Sequence, residues 1–113
     1  TLSRVLEWPV VVSPEGTAPR QHSDALVQSQ GCKIPSGCIE TLSASLSRQL
    51  TVEYDYVWFV PSGAVKDDLR HATLVALPVP GHGEPIGILT RVDATFSSGC
   101  QLMINAIRKS MPF

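Results

Sequence analysis

The sequence predicts an α/β fold, a mostly parallel sheet of about five strands flanked by helices, and three observations carry that expectation. Val10, Val11 and Val12 form an unbroken β-branched run, as expected of a strand buried on both faces. Leu42, Leu46 and Leu50 recur at four-residue spacing, which marks one apolar helix face. Strand-like and helix-like stretches then alternate along the chain, the order in which crossover helices join parallel strands.

Each element follows from local chemistry. Residues 1–8 mix polar and apolar side chains and read as an extended or briefly helical lead-in. Pro9 and the three valines make the first strand. Ser13, Pro14, Glu15 and Gly16 are turn residues, and Thr17, two residues before Pro19, is placed to cap a helix whose first turn holds the proline. Ala25, Leu26 and Val27 supply that helix's inner face, and Gly31 ends it. Residues 33–37 form a loop around Pro35, and residues 38–41 form a short second strand. Thr41 or Ser43 caps the second helix, which runs to about Val52.

Residues 54–60 include Tyr56, Val57, Trp58, Phe59 and Val60 and read as a third strand, halted at Pro61, Ser62 and Gly63. A third helix is expected over 63–71, a fourth strand over 74–77, a loop rich in Pro and Gly over 78–85, and a fifth strand over 86–91. Ser97 and Ser98 cap a final helix over 99–110, where Leu102, Met103, Ala106 and Ile107 recur at three-to-four spacing. Neither a domain linker nor an internal repeat interrupts the series.

Composition removes several function classes. With 113 residues, 43% hydrophobic, 17% charged and a net charge of -1, the chain fits one soluble domain of ordinary make-up. No apolar run approaches the roughly 18 to 20 residues of a membrane span, and no signal segment opens the chain. A cytoplasmic location without a membrane partner is therefore expected. Without a basic run, this piece offers no surface for nucleic acid. Cys32, Cys38 and Cys100 are an odd number in a chain long enough to hold a core without staples, so free thiols are expected. A redox role for Cys32 and Cys38 would need a basic cluster or a helix N-terminus to lower a thiol pKa, and neither is evident. His22, His71 and His82 lack close spacing with cysteine or acid, so they are expected to be solvated, with no metal and no cofactor.

Catalytic motifs are also missing. The sequence contains neither Gly-x-Ser-x-Gly nor Gly-x-x-x-x-Gly-Lys, and Pro80-Gly81-His82-Gly83 lacks the strand-then-helix setting of a dinucleotide loop. Asp67 and Asp68 are adjacent on a helix and point in different directions, which suits a solvated face better than an acid–base pair. Asp55 and Asp93 sit by strand ends, where an acid serves a turn or cap. No enzyme activity is expected.

The strand-to-helix junctions are the candidate site. Residues 13–17, 40–43 and 61–63 each connect the end of a strand to the start of a helix. In a parallel sheet they share one rim, where helix N-termini bring positive dipole ends and free N–H groups together. Thr17, Thr41, Ser43 and Ser62 would add hydroxyl contacts to a carboxylate there. Against this stands the ordinary reading, in which each hydroxyl only caps its own helix.

The order of segments WPVVVSPEGTAPRQ, CIETLSASLSRQL, YDYVWFVPSGAVKDDL, LVALPVP and PIGILTRVDATFSSGCQLMINAIRKS resembles the second half of the effector-binding domain of LysR-type transcriptional regulators. The resemblance covers nearly the whole chain. It implies one lobe of a domain similar to type II periplasmic binding proteins, with the effector held between two lobes. Residues 1–113 would be the second lobe together with a terminal helix that returns towards the first.

Within the family, Glu40-Thr41-Leu42-Ser43, Arg48-Gln49, Val57-Trp58 and Thr90-Arg91-Val92-Asp93 resemble regulators of protocatechuate catabolism (the pca operon) and a galactose-linked group. Carried across residue by residue, the resemblance places a small organic acid beside Thr17, Thr41, Ser43, Phe59, Val60, Pro61 and Ser62. Phe59 and Val60 would face its apolar body while N–H groups and hydroxyls take its carboxylates. No helix-turn-helix and no first lobe are present in the sequence, so the chain is expected to be a fragment whose DNA binding lies in a missing N-terminal part. In peroxide-sensing relatives the redox cysteines flank the first helix of this lobe, whereas Cys32 and Cys38 follow it. Family dimers and the apolar stripe Leu102, Met103, Ile104 and Ile107 imply self-association. A stand-alone solute-binding or carrier module is the alternative to a regulator.

Overall fold

The computed structural model describes residues 1–79, 91–93 and 95–110. Helix α1 (Leu2–Val5) leads into β1 (Val10–Val12), followed by α2 (Ala18–Ser29), β2 (Ile39–Glu40), α3 (Ala44–Tyr54), β3 (Val57–Trp58), a 3-10 turn (Ser62–Val65), α4 (Lys66–Arg70) and α5 (Ser98–Ser110). The sheet order is β2-β1-β3 and both pairings are parallel. Val11 stands opposite Ile39 on one side and Trp58 on the other. The ladder continues past the strands, since Thr41 N–H donates to the Val12 carbonyl at 3.0 Å and Phe59 N–H to the Val11 carbonyl at 3.2 Å.

The core is centred on β1. Val10, Val11 and Val12 are all buried, and Val27, Val65, Leu2 and Ile104 join them as the other buried hydrophobics among the described residues. A β-branched run therefore sits where two flanking strands and the helices shield both faces, as its composition demanded. The radius of gyration is 17.1 Å, above the roughly 13 Å of a compact domain of this length. The elements thus do not all close on one centre.

Helix ends follow their expected chemistry at α2 and α3. Thr17 Oγ1 accepts from the Arg20 N–H at the start of α2, with Pro19 in its first turn. At its end the Gly31 N–H donates to the Gln28 carbonyl and the Cys32 N–H to the Val27 carbonyl. This is a Schellman closure, and it needs the left-handed backbone that Gly31 adopts, with φ +72°. Ser43, rather than Thr41, caps α3, its Oγ accepting from the Leu46 N–H at 3.2 Å. The expected leucine stripe does not form a buried face of α3, since Leu42 lies before the helix and both it and Leu46 are exposed. The buried residue is Ser47, whose hydroxyl donates to the Ser43 carbonyl at 2.8 Å and so needs no outside partner.

Three strands are described where five were expected. Residues 54–60 give only Val57–Trp58 as strand, because α3 runs on to Tyr54 and Asp55 takes a left-handed conformation, φ 58°, before the chain can extend. Residues 74–77 are not a strand. The chain leaves α4 through Ala72 at φ 59°, and the Thr73 and Leu74 N–H groups both turn back to the Asp68 carbonyl, at 3.0 and 3.4 Å. That draws the backbone onto the helix end and away from the sheet. The expected loop 78–85 and fifth strand 86–91 lie largely outside the described residues, and Arg91 itself is not in a strand. The expected third helix is divided into the 3-10 turn and α4.

Candidate functional site

All three strand-to-helix junctions leave the C-terminal ends of parallel neighbours, so they occupy one edge of the sheet. They differ in construction. In the first, Thr17 Oγ1 donates to the Pro14 carbonyl at 2.7 Å while it accepts from Arg20, and Gly16 takes φ +87° to complete the turn. In the second, Thr41 Oγ1 accepts from the Ser43 N–H at 3.0 Å, and Ser43 then caps α3. The ordinary capping role is thus real for Thr17 and Ser43, and Thr41 braces a turn. Their hydroxyl oxygens retain further lone pairs, so a ligand contact is chemically open to each.

The third junction has no such bracing. Pro61 precedes the 3-10 turn without a side-chain cap, and Ser62 lies within it, exposed. Among the described residues no hydrogen bond of the Ser62 hydroxyl is found. A four-residue 3-10 turn followed by the five-residue α4 also carries a weaker summed dipole than the single helix expected over 63–71.

Phe59, Val60 and Ser62 line a cavity of about 560 Å³ together with Leu2, Trp8, Val65 and Leu77 among others. Thr17, Thr41, Ser43 and Pro61 are not part of its lining. The cavity is mainly apolar and lies along β3, α1 and the segment after α4. The structure therefore groups the seven residues into two sets, hydroxyls beside β1 and β2, and apolar surface with Ser62 beside β3.

Two charged arrangements also border the sheet. Arg20 is 7% exposed. Its Nε donates to Asp24 Oδ1 at 2.9 Å and its Nη1 to the Ser13 carbonyl at 3.2 Å, and its fork also reaches Glu40 and Glu15 at 3.4 and 3.6 Å. The hydrogen bond to Asp24 raises the guanidinium pKa further, against the cost of burial. An arginine four residues before an acid on a helix is a visible pairing pattern, but nothing local shows that Glu40 would arrive from another strand.

Arg48 pairs with Asp68 through two hydrogen bonds of 2.9 and 3.1 Å, and its guanidinium lies 5.8 Å from the Trp58 ring centroid. The pair joins α3 to α4 across β3. The hydrogen bonds from Arg48 hold the Asp68 carboxyl below its ordinary range. Asp68 is thus not on the solvated face expected of it, whereas Asp67 is.

The cysteines and histidines add little. All three thiols are free, and burial pushes the Cys38 thiol upward against the pull of Arg20, the opposite of a reactive thiol. His71 is exposed with Nδ1 2.8 Å from the Asp67 carbonyl, His22 is half-buried and engaged, and His82 lies outside the described residues. Among the described residues no group of three His, Cys, Asp or Glu could hold a metal ion, and no helix is long and apolar enough to cross a membrane.

Comparison with known proteins fixes the family. Residues 1–112 match the family model described as LysR substrate binding domain, a family of transcriptional regulators and not of enzymes. The chain is 98% identical over 115 aligned positions to the "Uncharacterized HTH-type transcriptional regulator YdcI" of Escherichia coli (strain K12), covering all of this chain and 38% of that protein. No solved structure matches. A small parallel sheet with helices fits the periplasmic-binding-protein-like architecture of such domains. From its sequence match across almost its entire length, the chain belongs to the LysR substrate-binding domain family.

Proposed function

We propose that residues 1–113 are the second lobe of the effector-sensing domain of a LysR-type transcriptional regulator, with a small organic acid as effector. The observation that carries this reading is the parallel order β2-β1-β3, which sends three chain turns to one edge, two of them opening full helices. Amide donors at helix starts suit a carboxylate. Thr17, Thr41, Ser43 and Ser62 would offer hydroxyls to its carboxylates, and Phe59, Val60 and Pro61 would meet its apolar body, with a first lobe outside this chain closing the cleft. Effector binding would then shift lobe closure, to the extent that the closed state holds the acid more tightly.

The relative of Escherichia coli is named as an HTH-type regulator, which favours DNA binding through a separate N-terminal part over the carrier alternative. An acid from protocatechuate or galactose-linked catabolism is the finer reading, supported by the short segments around Thr41, Trp58 and Arg91. A cytoplasmic dimer is consistent with this role. Self-association is supported by Leu102 and Met103, which are 69% and 62% exposed on α5.

Calorimetric titration of the full-length protein with protocatechuate tests the site. Binding is expected in the parent, weakened about tenfold or more in Thr41→Ala and Ser62→Ala. Equal affinity in parent and both variants would sink the assignment.

A further inference from the structure

Arg20 does more than cap or brace its own helix. It is buried, sits in the first turn of α2, and is bonded at once to the end of β1 through the Ser13 carbonyl and to the end of β2 through Glu40. Glu40 is itself shared, because its Oε2 also accepts from the Glu15 N–H at 3.2 Å. The result is a closed polar circuit that runs from α2 to Glu40, on to Glu15, and back through the turn to Thr17. Glu15 Oε1 lies 3.6 Å from Arg20 Nη2, which adds a second tie across the same turn.

Only a planar guanidinium can serve this many acceptors in one place, since it offers five N–H donors in a fixed fork. Its Nε is already committed to Asp24, the shortest contact of the set, so the fork cannot rotate without breaking that bond. The orientation of the other two nitrogens is thereby set. The Glu15–Gly16–Thr17 turn is exposed apart from Thr17, and a turn of this kind moves freely unless something anchors it.

We infer that Arg20 is a positioning residue for the rim. Through Glu40 and the Ser13 carbonyl it fixes the spacing between the first junction, at Thr17, and the second, at Thr41 and Ser43. Buried, with its nitrogens turned to Asp24, the Ser13 carbonyl, Glu40 and Glu15, it acts through the turn and not by touching the effector. This inference rests on reading the rim as the effector site, but its structural half can be measured without any ligand.

The experiment compares the full-length protein with Arg20→Lys, Glu40→Gln and the double variant. Glu40→Gln removes the charge that faces Arg20 and so weakens Glu40's links to both Arg20 and the Glu15 N–H, while changing only a half-exposed side chain, so it folds even where the arginine variant does not. Amide exchange in residues 13–17 is expected to rise about tenfold in each single variant, equivalent to ~1.4 kcal/mol of local opening, with residues 44–54 unchanged. The double variant adds nothing further, because both changes cut one circuit.

Protocatechuate affinity is expected to fall by a similar factor in Glu40→Gln while the denaturation midpoint stays at the parent value, a split that a merely stabilising contact would not produce. Unchanged exchange in residues 13–17 in Glu40→Gln overturns the proposal, as does a double variant whose effects multiply. If the parent itself fails to bind protocatechuate, the acid reading falls, and the exchange measurement still decides the role of Arg20.

Discussion

The two sides of β1 are built on different principles. Towards β2 the hydroxyls and the arginine near the edge are tied down. Thr17, Thr41 and Ser43 each hold a backbone partner, and Arg20 links the strand ends. Towards β3 the chain is open, with an uncapped turn at Pro61 and Ser62 beside a cavity of about 560 Å³. Order on one side and accessible apolar surface on the other is the division expected of a site that orients a charged group and accommodates a variable body. The contrast teaches that identical residue types, three hydroxyls at strand ends and a fourth at Ser62, carry different structural duties.

The largest change should come from the element both sides share. Val11 is fully buried between β2 and β3, so Val11→Ala is expected to cost about 2–3 kcal/mol in chemical denaturation. A loss well below 1 kcal/mol would show that β1 is not the common support. Next come the caps, where Thr17→Ala and Ser43→Ala should each cost about 1 kcal/mol. Ser62→Ala, whose hydroxyl has no hydrogen bond among the described residues, should stay within about 0.5 kcal/mol. Equal costs at Ser43 and Ser62 would erase the distinction between the two sides.

Smaller effects probe the β3 side alone. Ala72 holds φ 59°, a conformation that penalises a side chain, so Ala72→Gly should gain up to about 1 kcal/mol. Thermal melts of the two forms would show it. The Arg48–Asp68 pair should contribute least, because it is partly open to solvent and screened. Its sign is nonetheless definite. Arg48 lowers the Asp68 pKa in the folded state, so the contribution is complete above the ordinary carboxylate range and disappears as pH falls through the folded value. Melts across the acid range should show this dependence in the parent and lose it in Asp68→Asn.

Much of the first two-thirds of the fold was readable in the residues. The valine run, the Thr17 and Ser43 caps and the Gly31 stop depend on interactions within a few positions, which sequence displays directly. The alternatives of Thr41 and Ser43 at the second helix start were resolved by a single turn hydrogen bond. What sequence hid was non-local. Arg20 and Asp24 show the local pairing pattern, but Glu40 reaches Arg20 from 20 positions away and the Arg48–Asp68 pair also spans 20 positions, so neither of those links has a local signature. The strand expected at 74–77 failed for a comparable reason. Its apolar residues satisfy strand propensity, but the Asp68 carbonyl captures the Thr73 and Leu74 N–H groups and directs the backbone elsewhere. At the site, the junctions could be listed from turn chemistry, whereas the separation of hydroxyl and apolar sets required the fold.

Three valines form the single axle on which every junction turns. Since the Val11 and Val12 carbonyls hold Phe59 and Thr41 directly, both flanks load the same short segment. A displacement of either flank is therefore felt first by the same two carbonyls, so the edge should move as one piece.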